Sequence, residues 1–144
     1  MKLSGKHKFK ASSAQVFRAI LNPDVLKSCI PGCSSVEYVD ANRLRASITT
    51  QLPGLKGPYM VVINIANRQE PSHLELQVQR KGTGGSINSV SQINLQDEAG
   101  SALLTYSANA ELEGPISMAN NPIGKTIVES SLNSFFKNLD KAIS

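Results

Sequence analysis

The sequence predicts an α+β fold in which a seven-stranded antiparallel sheet is covered on one face by helices, the last of them long. Three observations carry that prediction. Residues 2–10 alternate between inward apolar or small positions and outward lysines, the period of a half-buried strand. Residues 34–113 divide into six further stretches of strand character, separated by turns rich in Gly, Pro and Asp. Residues 118–143 then carry Val128, Leu132, Phe135, Phe136, Leu139 and Ile143 at three- and four-residue spacing, the stripe of an amphipathic helix. A sheet with one polar face must hide the other, and helices are the available cover.

The elements follow in order. Leu3, Gly5, His7 and Phe9 share the inward phase of the first strand, with Lys2, Ser4, Lys6, Lys8 and Lys10 outward. Ser12 or Ser13 offers an N-cap for a short helix reaching Asn22, whose apolar stripe is Val16, Phe17, Ile20 and Leu21. Pro23 suits the first position of a second short helix over residues 24–29, because a residue there has no helical N–H bond to lose. Pro31 and Gly32 end it. Val36 and Tyr38, then Leu44, Ala46 and Ile48, predict a hairpin turning at Asp40-Ala41-Asn42. The connection over residues 51–57 is unusually apolar, and strands follow at about residues 58–67, 74–81, 86–96 and 103–113. In the last of these Leu104, Tyr106, Ala108, Ala110 and Leu112 share a face, and the small alanines leave room for the terminal helix to cross. That helix begins in earnest near Pro122.

Composition limits the function classes. A chain of 144 residues supports one core-bearing domain, and 40% apolar with 18% charged residues is ordinary for a water-exposed globular protein. A net charge of +4 favours anionic surfaces, yet few aromatics and no Trp deprive the chain of base-stacking platforms, so nucleic acid is not expected as a partner. The first residues show no signal peptide, and the strongest apolar run, residues 59–63, is too short to cross a bilayer. The expectation is a cytoplasmic protein with reduced thiols.

The candidate chemical motifs fail one by one. Gly124-Lys125-Thr126 looks like the end of a phosphate-binding loop, but Ala119 stands where that loop needs glycine and no strand leads directly into it. Gly82-Thr83-Gly84-Gly85 lies between two strands with no helix after it, which predicts a loose hairpin turn. Cys29 and Cys33 have three residues between them, the wrong spacing for a Cys-x-x-Cys redox pair, and His7 and His73 offer no metal-ligand spacing beside them. Small thiols buried at a turn are the expectation. His7 faces inward without a recognisable proton-transfer partner, and Arg80 shares the phase of Leu74, Leu76 and Val78 near a strand end, where it either orients a polar ligand group or snorkels. No catalytic constellation emerges, so the chain reads as non-enzymatic, with no cofactor and no metal. Lys6, Lys8 and Lys10 form a basic stripe that is either a solvated sheet face or a docking surface for a membrane or an acidic partner.

One run is more specific than any of these: Leu26-Lys27-Ser28-Cys29-Ile30-Pro31-Gly32-Cys33. Together with the strand ending at Phe9 and Lys10, the helix bearing Val16-Phe17, residues 52–59, the glycine turn and Glu113-Gly114-Pro115, it resembles the carbon monoxide dehydrogenase G-subunit (CoxG) proteins of the START-like, or SRPBCC, superfamily. The element order resembles that superfamily over essentially the whole chain. The resemblance implies a helix-grip fold, a curved sheet around the long helix, with an internal cavity between them. It further implies an accessory factor that recruits a molybdenum hydroxylase, such as a carbon monoxide dehydrogenase, to the membrane and binds a quinone or lipid-like molecule. Many family members continue into a C-terminal extension associated with membrane anchoring; the helix here runs to Ser144, so peripheral contact through the apolar connection or the basic stripe is the expectation.

Phase and loop position name the residues that such a cavity would use. Tyr59, Val61 and Ile63 share one strand face, as do Leu74, Leu76 and Val78. Tyr106 offers a hydroxyl to a ligand carbonyl; Met118, Ile123 and Ile127 begin the roofing helix, and Leu52 and Leu55 gate the mouth. Two alternatives stay open at this point. One is a cyclase, aromatase or hydrolase of the same superfamily, with a polar pair lining the cavity; the other is a protein-interaction module with a filled core.

Overall fold

The computed structural model describes residues 1–49 and 58–143, with Met118 described through its backbone alone. Strand β1 (Lys2–Phe9) leads into helices α1 (Ser13–Ile20) and α2 (Pro23–Cys29). Strands β2 (Cys33–Asp40), β3 (Arg43–Thr49), β4 (Pro58–Gln69), β5 (His73–Arg80), β6 (Ser86–Glu98) and β7 (Ser101–Glu113) follow. A short 3-10 helix (Gly114–Ala119) then connects to helix α3 (Pro122–Ile143). The seven strands form one sheet in the order β1-β7-β6-β5-β4-β3-β2, antiparallel throughout. Every neighbouring pair from β2 to β7 is consecutive in the chain, so only the β1–β7 pairing is long in sequence.

Local chemistry sets the two short helices. Ser12 and Gln15 form a reciprocal cap on α1: the Ser12 hydroxyl accepts from Gln15 N–H at 3.2 Å, and the Gln15 side-chain oxygen accepts from Ser12 N–H at 2.9 Å. The Asn22 side-chain oxygen accepts from the N–H groups of Asp24 (3.0 Å) and Val25 (3.4 Å), with Pro23 at the first helical position of α2. The chain leaves α2 through Gly32 at φ +75°, where a side chain is doubly barred: a Cβ would lie 2.0 Å from the Thr49 carbonyl oxygen. The Thr49 N–H donates back to the Gly32 carbonyl at 2.9 Å, so this Pro-Gly corner is stitched to β3.

The inward phase of β1 is as expected, with Leu3 and Phe9 buried and Lys2, Lys6 and Lys8 exposed. One core joins Phe9, Val16, Phe17, Ile20 and Leu26 to Leu44, Ala46, Val61, Ile63, Ile65, Leu74, Ile93, Leu95, Leu104, Phe136 and Leu139. Tyr38, on the edge strand β2, is 40% exposed; its hydroxyl donates to the Leu21 carbonyl at 2.6 Å and ties that edge to the end of α1. The terminal helix begins at Pro122, where the sequence places its start. The preceding turn is 3-10, and Asn121 caps the start by accepting from Gly124 N–H at 2.7 Å.

Candidate functional site

Burial along the sheet's inward face falls off in one direction. Leu74 on β5, Ile93 and Leu95 on β6, and Ala102 and Leu104 on β7 are buried. Further along the same faces Leu76 and Val78, Ile87, Ser89 and Ser91, and Tyr106, Ala108, Ala110 and Leu112 are only half-buried. Register places these half-buried positions side by side: Val78 pairs with Ser89 and Leu76 with Ser91, while Ser89 pairs with Ala110, Ser91 with Ala108 and Ile87 with Leu112. Helix α3 divides in the same way. Leu132, Phe135, Phe136, Leu139 and Ile143 pack on the core, whereas Ile127 and Val128 are half-buried and outside it. Serine and alanine side chains are too short to reach a helix across the sheet. These half-buried inward positions of β5–β7, with Ile127 and Val128 of the N-terminal half of α3, mark the candidate groove, although Leu76, Val78 and Tyr106 also pack against the core.

Polar groups stand at two places along this groove. Tyr106 lies against the β1 edge, its ring 5.4 Å from that of Phe136, and a Cβ on Gly5 would stand only 2.9 Å from its hydroxyl. Burial, and secondarily the negative charge of Glu129, push the Tyr106 phenol above its ordinary pKa, so it stays a protonated donor. Arg80 faces inward at the end of β5, paired with Ile87; its guanidinium donates to the carbonyls of Thr83 and Gly85 and sits 5.8 Å from the centre of the Tyr59 ring.

His7 belongs to a different place, the C-terminal half of α3. Its ring stacks on Phe136 at 5.7 Å and also meets Phe9, with Nε2 3.8 Å from an Asp140 carboxylate oxygen. A hollow of about 580 Å³ opens near His73, Asn94, Gln96 and Thr105, with Leu95 and Leu103 also in its lining, away from the residues named for the cavity. Cys29 is buried beside α3, where Asn138 donates to its carbonyl at 3.0 Å. The Cys33 thiol donates to the Ser35 carbonyl, and burial pushes its pKa up, away from nucleophilic use. Among the described residues no group of three or more His, Cys, Asp or Glu is placed to hold a metal ion.

The structure brings Leu76, Val78, Tyr106 and Ile127 to the groove, with Tyr59 at its Arg80 end. Val61 is not accessible: at 3% exposure it is plain core. Ile123, expected in the roof, is 74% exposed, because the first turn of α3 carries it to the solvent side. Leu52 and Leu55 lie outside the described residues, as does the side chain of Met118. Sequence reasoning missed Ile87, Ser89 and Ser91. Their signal was the phase they share with Ile93 and Leu95, masked by Val90, which faces outward at 44% exposure.

Comparison with known proteins extends this geometry. The family model of the carbon monoxide dehydrogenase G-subunit (CoxG) matches residues 5–144. A conserved protein from Geobacillus kaustophilus superposes with a TM-score of 0.91 at 25% identity, covering 99% of this chain and 95% of that one. A Chromobacterium violaceum protein gives 0.78 at 15% identity, covering 99% and 96%. A START superfamily protein from Mycobacterium smegmatis gives 0.75 at 11% identity, again covering 99% and 96%. The fold is START-like, a sheet gripping its terminal helix. The search of curated protein sequences returned no match.

Proposed function

The chain belongs to the carbon monoxide dehydrogenase G-subunit (CoxG) family, and from that membership we propose that it is a non-catalytic accessory protein whose groove under α3 holds a hydrophobic small molecule, a quinone or lipid. One observation carries the reading: the inward faces of β5–β7 change together from large buried side chains to half-buried Ser89, Ser91, Ala108 and Ala110. Filling that space removes apolar surface from water at about 25 cal/mol per Å², so a ring or acyl chain is the fitting occupant. Leu76, Val78, Ile87 and Ile127 supply the walls and Tyr106 a protonated donor for a ligand oxygen. In the accessory role the protein serves a molybdenum hydroxylase such as a carbon monoxide dehydrogenase, from the cytoplasmic side of the membrane. The exposed Lys6, Lys8 and Lys10 support peripheral contact with that surface; among the described residues no helix is long and apolar enough to cross it.

Native mass spectrometry of the purified chain after incubation with a membrane lipid extract tests the proposal. Retention of a quinone or lipid at one per chain is expected. A chain that retains nothing is an interaction module with a filled core, and a retained molecule that is chemically converted makes it an enzyme.

A further inference from the structure

Arg80 is a cation with no carboxylate paired to it among the described residues. It occupies an inward-facing position at the end of β5, half-buried, beside Ile87 on the groove floor. Arg43–Asp40, Arg45–Glu37 and Lys125–Glu129 form ion pairs, and among the described residues no carboxylate pairs with Arg80. Its guanidinium has five N–H donors, and the carbonyls of Thr83 and Gly85 take two. Carbonyl oxygens satisfy donors without neutralising charge, and the Tyr59 ring contributes only a partial counter-field. Leaving a half-buried charge without a counter-ion is costly, and a ligand that supplies one gains a charge-assisted, two-pronged contact.

The position is also held in place. The turn that Arg80 grips is packed against the start of the 3-10 helix: a Cβ on Gly85 would lie 2.0 Å from the Glu113 carbonyl oxygen, and Ile116 N–H donates to the Gly84 carbonyl at 2.9 Å. The guanidinium is thus fixed at one end of the apolar floor, with Val78, Ile87 and Leu112 leading away from it.

We infer that the groove selects a single-chain amphiphile with an anionic oxygen head, a carboxylate or a phosphate, the chain lying over the small residues of β6 and β7 and the head paired with Arg80. The inference rests on the groove being a site for hydrophobic ligands and names the head group that site prefers. A quinone, being neutral, leaves the Arg80 charge as it is.

Binding of dodecanoate, dodecyl phosphate and dodecanol to the wild type and to Arg80→Gln, followed by calorimetry at low salt, tests it. The wild type is expected to bind at least one anion about tenfold or more tighter than dodecanol, the scale of a charge-assisted contact. Arg80→Gln is expected to lose that preference while binding dodecanol as before, which also shows that the groove is intact. The tighter of the two anions tells carboxylate from phosphate. Equal wild-type affinity for all three probes overturns the head-group inference and leaves the groove reading standing; so does a variant that weakens all three alike. Failure of the wild type to bind any probe overturns the inference, and the groove reading then stands or falls on retention of a quinone or lipid in the native mass spectrometry experiment.

Discussion

Gly5 shows how much a single missing side chain decides. It lies directly across from Tyr106 in the β1–β7 pairing, and the tyrosine ring rests in the space a Cβ would occupy. Only the hydroxyl end of the ring is crowded, so Gly5→Ala is tolerated by a small swing of the ring. Gly5→Val is not: it pushes the ring away from Phe136 and is expected to cost about 1–3 kcal/mol, the range for overpacking a filled site. Urea denaturation of both variants measures the difference, and an unchanged midpoint for Gly5→Val contradicts the contact. The alternation of β1 made Gly5 legible as an inward position. That its emptiness serves a residue some hundred positions away was not legible, because alternation reports phase and never the partner. Arg80 is similar. Its inward phase could be read, but whether it reached solvent or gripped a turn depended on where residues 82–85 were placed.

At the scale of elements, caps and corners were the most readable features, because their chemistry is local. Ser12 and Pro23 act within a few residues of themselves, whereas Asn22, expected at the end of the first helix, follows a helix that stops at Ile20 and caps α2 instead. Replacing Asn22 with Ala removes the acceptor for two N–H groups of α2 and is expected to cost about 1 kcal/mol. Equilibrium unfolding checks it, and a change below a few tenths would mean that water caps the helix equally well. Helix α3 was harder. Its three- and four-residue spacing announced a helix but not that the two halves differ. Phe136 and Leu139 fill the core while Ile127 and Val128 are only half-buried, and Ile123 faces solvent although it is as apolar as either. Hydrophobicity gives each residue the same preference; the distance to the sheet decides which of them satisfy it.

At the scale of the whole molecule, the consecutive antiparallel order from β2 to β7 lets the sheet form from neighbouring hairpins, with β1 closing against β7 as the long-range step. A groove built into that sheet couples ligand to stability, since a ligand that binds the folded chain alone shifts the unfolding equilibrium. At about a hundred times its Kd it adds about 2.7 kcal/mol. For a chain of 144 residues that corresponds to a rise in Tm of roughly 9 °C. Thermal unfolding with and without a saturating amphiphile reads this directly, and an unchanged Tm argues for a surface association rather than occupation of the groove. Element type, element order, the inward phase of the strands and the family were all determined by the sequence, because alternation, capping and short signature runs act between residues close in the chain. Which inward residues are core and which line open space was decided only by the tertiary structure. That division depends on how far α3 stands from β5–β7, a distance set by the joint packing of Phe9, Tyr106, Phe136 and Leu139, which no local pattern contains.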